Sequence, residues 1–224
     1  TFVTSLALLA LAGCAAVSTV NKAATDVLLP TSEEAQLGRK LAVEIQNSKE
    51  TRLLQNQEVV TYVKTVGQRV AARSNNPDKW RFTFYVIDDP KTVNAFAIPG
   101  AHIYVYSGLL KAMKDESELA GVLAHEVAHV TNRHIAKRMI AANGLETLSA
   151  LALGQNPGEL SKLATSILAQ GALLKNSRTD ENEADADGIV TASKAGYAPQ
   201  GLVEFFEVLK KMEGNSPELL SFLS

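Results

Sequence analysis

The five residues His125-Glu126-Val127-Ala128-His129 carry two imidazoles and a carboxylate within little more than one helical turn. On an α-helix, positions i and i+4 lie about 40° apart, so both rings leave one face and can share a metal ion. Glu126 lies about 100° round from His125, near such an ion without being forced to bind it. A carboxylate there can take the proton of a metal-activated water, which is hydrolytic chemistry, and zinc is the ion this spacing serves. The bland alternative is a chance match with two solvent-facing histidines. Residue frequencies put that well under about one in a hundred, but a motif still needs its context.

That context is a third ligand from elsewhere in the chain. A third histidine six residues after the second, with a glycine between, is absent: Ile135 and Asn132 hold those positions. His134, on a continuous helix, points about 180° away from His125 and reads as a structural or surface histidine. A carboxylate is the remaining option, and residues 177–188 are rich in them. Helical geometry sorts these into two faces. Glu181, Ala184, Asp185 and Gly188 share one, while Asp180, Glu183 and Asp187 share the other. Small residues on the first face allow close approach to the His125 helix, so Glu181 can reach the metal. Asp185, one turn on, can accept the outer N–H of a ligand histidine. The second face reads as a solvated acidic stripe.

The elements that must position these groups follow from periodicity. A helix is expected over 115–139, with Asp115 as cap, Glu118 three residues on, and Val122, Leu123, Val127 and Val130 to bury it. A second helix, over 179–194, carries the carboxylates and stops near Gly196. Upstream, Thr31-Ser32-Glu33-Glu34 reads as a capping box for a helix over 31–45, and an amphipathic helix is expected over 58–73. The pattern then switches to period two: Trp80, Phe82, Phe84 and Val86 alternate with polar neighbours as a strand. Residues 92–98 and 102–106 follow as a hairpin across Pro99-Gly100. Residues 144–175 are Ala/Leu-rich with a break at 154–158, and suit a lid, a membrane-surface element or ordinary core helices. A last helix follows Pro199. The class is α+β, mostly helical, with one small sheet beside the helix of the motif.

Composition sets the frame. At 224 residues, 46% hydrophobic and 21% charged, the chain suits a single globular domain, and its net charge of -2 gives no reason to expect nucleic acid. Cys14 is the single cysteine, so an internal disulfide is impossible. It follows a short apolar run ending Leu11-Ala12-Gly13, which reads as a clipped lipoprotein signal and lipobox over 1–14. A lipid on Cys14 is expected, in the bacterial periplasm. Ala15 and Ala16 favour the outer membrane, because an aspartate there would signal inner-membrane retention. Residues 15–30 are expected as a tether, and 31–224 as the metallopeptidase domain, truncated at its C-terminus.

These motifs together resemble the gluzincin peptidases related to the CAAX prenyl proteases. The resemblance rests on His125-Glu126-x-x-His129, Ser177-Arg178, Glu181-x-x-x-Asp185, Ala128-His129-Val130 with Arg133-His134, and Asn94-Ala95-Phe96-Ala97 before Pro99-Gly100. It covers about Thr31 to the C-terminus and is closest to the periplasmic branch that includes β-barrel assembly-enhancing lipoprotein peptidases. It implies one catalytic zinc and endopeptidase activity on misfolded or unassembled envelope proteins. It also implies that Asn94, Ala95, Phe96 and Ala97 line the cleft as a substrate-pairing strand, although a plain core strand fits Phe96 and Ile98 equally well. The membrane-embedded branch is disfavoured, since the chain has no uninterrupted apolar run of about 20 residues. Relatives in the resembled branch continue into a His-Pro loop that can plug the metal. No histidine follows His134 here, so an open fourth coordination position is expected. The competing function is a non-catalytic assembly factor with structural zinc, against which the intact Glu126 argues.

Overall fold

The computed structural model describes residues 22–170 and 176–213. In chain order it comprises α1 (Lys22–Leu28), α2 (Thr31–Asn47), α3 (Gln57–Ala71), β1 (Thr83–Ile87), β2 (Ala95–Ile98), β3 (His102–Tyr106), α4 (Ser107–Ala112), α5 (Glu116–Thr131), α6 (His134–Asn143), α7 (Leu145–Leu153), α8 (Pro157–Gln170), α9 (Arg178–Lys194) and α10 (Gly201–Glu213). The expected class, mostly helical with one small sheet, is borne out.

The fold is organised around α5. Its N-terminus is capped by Asp115, whose carboxylate accepts the Ser117 and Glu118 N–H groups. Every residue from Glu118 to Thr131 is buried, because α3, α9, α10 and β2 all pack on this helix. Two glycines permit that density. A Cβ on Gly121 would lie 2.6 Å from the Leu202 nitrogen, and one on Gly188 would lie 3.0 Å from the His125 nitrogen. Helix α9 therefore meets α5 backbone to backbone at His125.

The sheet runs β1-β3-β2, with β2 antiparallel to β3 and β1 parallel to it. The expected hairpin is present, turning through Gly100 and Ala101 at positive φ. Strand β1 starts at Thr83 rather than Trp80, leaving Trp80 buried just outside the sheet. Strand β2 lies at the sheet's edge against α5.

Three expectations change. The single helix over 115–139 is two helices, broken where Arg133 adopts a left-handed conformation at φ 59°. The cause lies far away in sequence. The Arg133 guanidinium is wholly buried, with Asp26 at 2.7 Å, Glu34 at 2.6 Å and the Leu29 carbonyl at 2.5 Å. These charge-assisted bonds offset the roughly 1–2 kcal/mol that a left-handed residue costs. The same contact undoes the capping box, since α2 has no side-chain cap and Glu34 is turned inward to Arg133.

The expected tether over 15–30 is also corrected in its second part, where α1 forms, Thr25 and Leu29 are buried and Asp26 joins Arg133. The packed domain thus begins before residue 31. Of the readings left open for 144–175, core helices fit the described part: within 144–170, α7 and α8 pack on α2, with Leu148, Leu151, Leu160 and Ile167 buried. Among the described residues, no helix is long and apolar enough to cross a membrane.

Candidate active site

One turn apart on α5, His125 and His129 are each 3% exposed, and their Nε2 atoms lie 2.9 Å apart. Glu181, in the first turn of α9, brings Oε2 to 3.3 Å from His125 Nε2 and Oε1 to 3.5 Å from His129 Nε2. One donor atom from each of these three residues falls within 4.8 Å of the others. Ser177 caps α9 through the Asp180 N–H and so sets where Glu181 starts. Asp185, one turn later, places Oδ1 2.9 Å from His125 Nδ1.

The chemistry of this donor set fits a divalent metal. Asp185 accepts the His125 Nδ1 proton, which leaves the Nε2 lone pair facing His129 and Glu181. Lone pairs crowded on one point repel unless positive charge stands between them. The field is right for that charge. Burial opposes protonation of His125, yet the bonds its ring donates to the Asp185 and Glu181 carboxylates outweigh it and raise its pKa to about 10, so the site draws positive charge to Nε2, as a proton or as a metal ion. His129 behaves oppositely: burial, reinforced by neighbouring positive groups, holds it neutral, the form in which an imidazole ligates. Two imidazoles and a carboxylate are a donor set suited to a borderline divalent ion.

Glu126 is 6% exposed on the side of α5 that meets β2, and its carboxylate accepts the Ala97 backbone N–H. Burial pushes its pKa up to about 7, with Glu181 adding to the rise and the charges of His125 and Arg138 opposing it. Of the strand singled out in sequence, Ala95, Phe96 and Ala97 lie in β2, and the Asn94 carbonyl accepts from the Tyr106 N–H. All four are buried. His102 belongs to a different neighbourhood, with Nδ1 3.2 Å from the Tyr85 hydroxyl and its pKa lowered to about 4 by burial and then by Arg39. Cys14 and the residues after 213 lie outside the described residues.

The second face of α9 is not a solvated stripe. Glu183 Oε2 lies 2.9 Å from His134 Nε2, Asp180 pairs with Lys137 at 3.0 Å, and Asp187 accepts from Asn132 at 2.7 Å. His134 is wholly buried, so its surface reading fails, and Nδ1 lies 2.9 Å from His129 Nδ1. The helical wheel that pointed it away assumed a continuous helix, and the corner at Arg133 removes that assumption. Two further groups were missed. Arg138, on α6, lies near enough to lower the Glu126 pKa, and Asn176 Nδ2 stands 3.4 Å from His129 Nε2. The position of Asn176 directly before the Ser177 cap was the available signal for a residue at the mouth of α9.

Residues 57–222 match Peptidase family M48. A putative beta-barrel assembly-enhancing protease of Vibrio cholerae serotype O1 is 36% identical over 171 residues, covering 69% of this chain and 35% of that protein. The mitochondrial metalloendopeptidase OMA1 of Schizosaccharomyces pombe is 34% identical over 195 residues, 85% of this chain and 56% of the relative. The beta-barrel assembly-enhancing protease of Escherichia coli K12 is 29% identical over 206 residues, 86% of this chain and 41% of the relative. The chain thus spans between about a third and just over half of the length of these curated relatives. With a family match across most of its length and a histidine–glutamate cluster on α5 and α9 that fits a metal, the chain belongs to peptidase family M48, a family of metalloproteases.

Proposed function

We propose that this domain is a zinc-dependent endopeptidase in which His125, His129 and Glu181 hold the metal and Glu126 is the general base. The observation that carries the reading is the convergence of His125 Nε2, His129 Nε2 and the Glu181 carboxylate within 4.8 Å, with Glu126 buried next to them. A zinc ion in this donor set supplies a Lewis acid that polarises the scissile carbonyl and acidifies water. Glu126 takes a proton from the attacking water on its carboxylate and delivers it to the leaving amine. The Ala97 N–H fixes that carboxylate at the edge of β2. Asp185 holds the His125 ring by its Nδ1–H.

Substrate pairs along β2, whose position at the sheet edge supports addition of an extended peptide next to Asn94, Ala95, Phe96 and Ala97. The substrate class is misfolded or unassembled envelope polypeptide, supported by relatives named as beta-barrel assembly-enhancing proteases. The Leu11-Ala12-Gly13-Cys14 sequence supports lipidation of Cys14 and anchoring in the periplasm at the outer membrane. Mass spectrometry of the native membrane protein should find diacylglyceryl mass on Cys14, and an unmodified N-terminus there contradicts the anchor. The activity itself is tested on unfolded casein. Cleavage should stop with a chelator and return with added zinc, and chelator-resistant cleavage contradicts the reading.

A further inference from the structure

The two imidazoles on α5 are oriented by different means. His125 leans directly on a carboxylate, whereas His129 meets another imidazole. His134 Nδ1 lies 2.9 Å from His129 Nδ1, and the far nitrogen of His134 lies 2.9 Å from Glu183 Oε2 and 3.4 Å from Asp180 Oδ1. Asp180 is already bound by Lys137 at 3.0 Å and by the Ser177 hydroxyl at 2.8 Å, so Glu183 is the nearer and less committed acceptor.

Hydrogen-bond logic orders the whole chain. An ionised carboxylate only accepts, so His134 donates from Nε2 and, as a neutral ring, keeps its lone pair on Nδ1. Two ring nitrogens at 2.9 Å need one donor, so His129 donates from Nδ1. The His129 lone pair is then on Nε2, the atom that faces His125 Nε2 at 2.9 Å and Glu181 Oε1 at 3.5 Å. On a continuous helix His134 would stand about 140° round from His129 and could not make this contact. The left-handed corner at Arg133 creates it.

We propose that His134, backed by Glu183, is a positioning residue that fixes the tautomer and ring orientation of His129 and thereby sets metal affinity. This rests on the metal reading of His125, His129 and Glu181 above. A neutral imidazole between His129 and Glu183 keeps the full carboxylate charge off His129, in contrast to Asp185 against His125.

The test is zinc affinity, measured by competition with a chromophoric chelator, on parent, His134→Leu, His134→Asn and Glu183→Ala. Leucine keeps volume but removes the acceptor, and should weaken zinc binding about 10–100-fold, the usual cost of losing such a partner. Asparagine places an amide oxygen near the former Nδ1 and should return affinity to near the parent value. Glu183→Ala alters a half-exposed side chain and leaves Asp180 as substitute acceptor, so it should weaken zinc by less than about tenfold. Cobalt-substituted protein should show a changed visible spectrum in His134→Leu and the parent spectrum in His134→Asn. Parent-like affinity in His134→Leu, or equal weakening in His134→Leu and His134→Asn, overturns the proposal while the metal reading stands. If His134→Leu does not fold, unchanged affinity in Glu183→Ala together with weak binding in His134→Asn overturns it. A parent that takes up no zinc overturns both.

Discussion

Two groups of histidine and carboxylate lie side by side between the α5–α6 corner and α9. One is His125, His129 and Glu181, and the other is His134, Asp180 and Glu183, each with donor atoms within 4.8 Å of one another. Residue types and spacing are nearly the same, yet the two are electrostatically different. In the second group Lys137 stands 3.0 Å from Asp180 and already supplies positive charge. In the first, the carboxylates of Asp185 and Glu181 drive His125 itself towards the charged form, so positive charge is called for at the point where the donor atoms meet. What separates a candidate metal centre from its scaffold is therefore what meets each carboxylate, Lys137 at Asp180 in one and the two imidazoles at Glu181 in the other, and the direction each imidazole faces. A list of potential ligands does not reveal that difference.

The comparison is broken most severely by exchanging which carboxylate is lost. Glu181→Ala is expected to lower zinc affinity by more than about 100-fold, beyond the usual cost of a supporting contact, while Glu183→Ala still binds zinc stoichiometrically at micromolar protein. Metal analysis after dialysis reads both, and equal contents contradict the division. Arg133→Ala comes next. It leaves buried Glu34 without its cation and removes the support for the left-handed corner, at a cost of about 3–5 kcal/mol in denaturant unfolding. A loss under about 1 kcal/mol would show that the corner does not depend on the buried ion pairs. Asp185→Asn is expected to cost about 10–100-fold in zinc affinity, by loosening the His125 proton.

The smallest effect is on acid stability. Burial opposes ionisation of Asp26, but hydrogen bonds from Arg133 and Lys79 hold its pKa below the usual carboxylate range. Its contribution is present above the unfolded value of about 3.9 and is lost as pH falls through the lower folded value. Melting temperature from pH 5 down to pH 2 should therefore fall less steeply in Asp26→Asn than in the parent. Identical slopes contradict the assignment.

Local periodicity carried much of the fold. The i, i+4 spacing placed both α5 imidazoles on one face, and the i, i+4, i+7 spacing placed Glu181, Asp185 and Gly188 on the face of α9 that meets α5. Glycine at 188 was readable as close approach because only a missing side chain lets two helices touch there. The hairpin was readable from its turn residues. Most of what was not legible has its physical cause in partners distant along the chain. The corner at Arg133 depends on Asp26 and Glu34, 107 and 99 residues away in sequence. The acidic stripe read as solvated because its partners, His134, Lys137 and Asn132, reach it only after that corner forms. Seven residues of α1 are too few to show a period. The parallel pairing of β1 with β3 has no local signature at all.

The most direct test of the account separates holding the metal from using it. Glu126 is buried beside the donor cluster and bonded to the Ala97 N–H, and it is not a member of that cluster. Zinc content and casein hydrolysis should be measured on the same preparation of Glu126→Gln and of the parent. The account predicts equal zinc, one ion per chain, with hydrolysis in Glu126→Gln reduced by at least about 10²–10⁴-fold, the range for loss of a general base. Cleavage by zinc-loaded Glu126→Gln at the parent rate would contradict it.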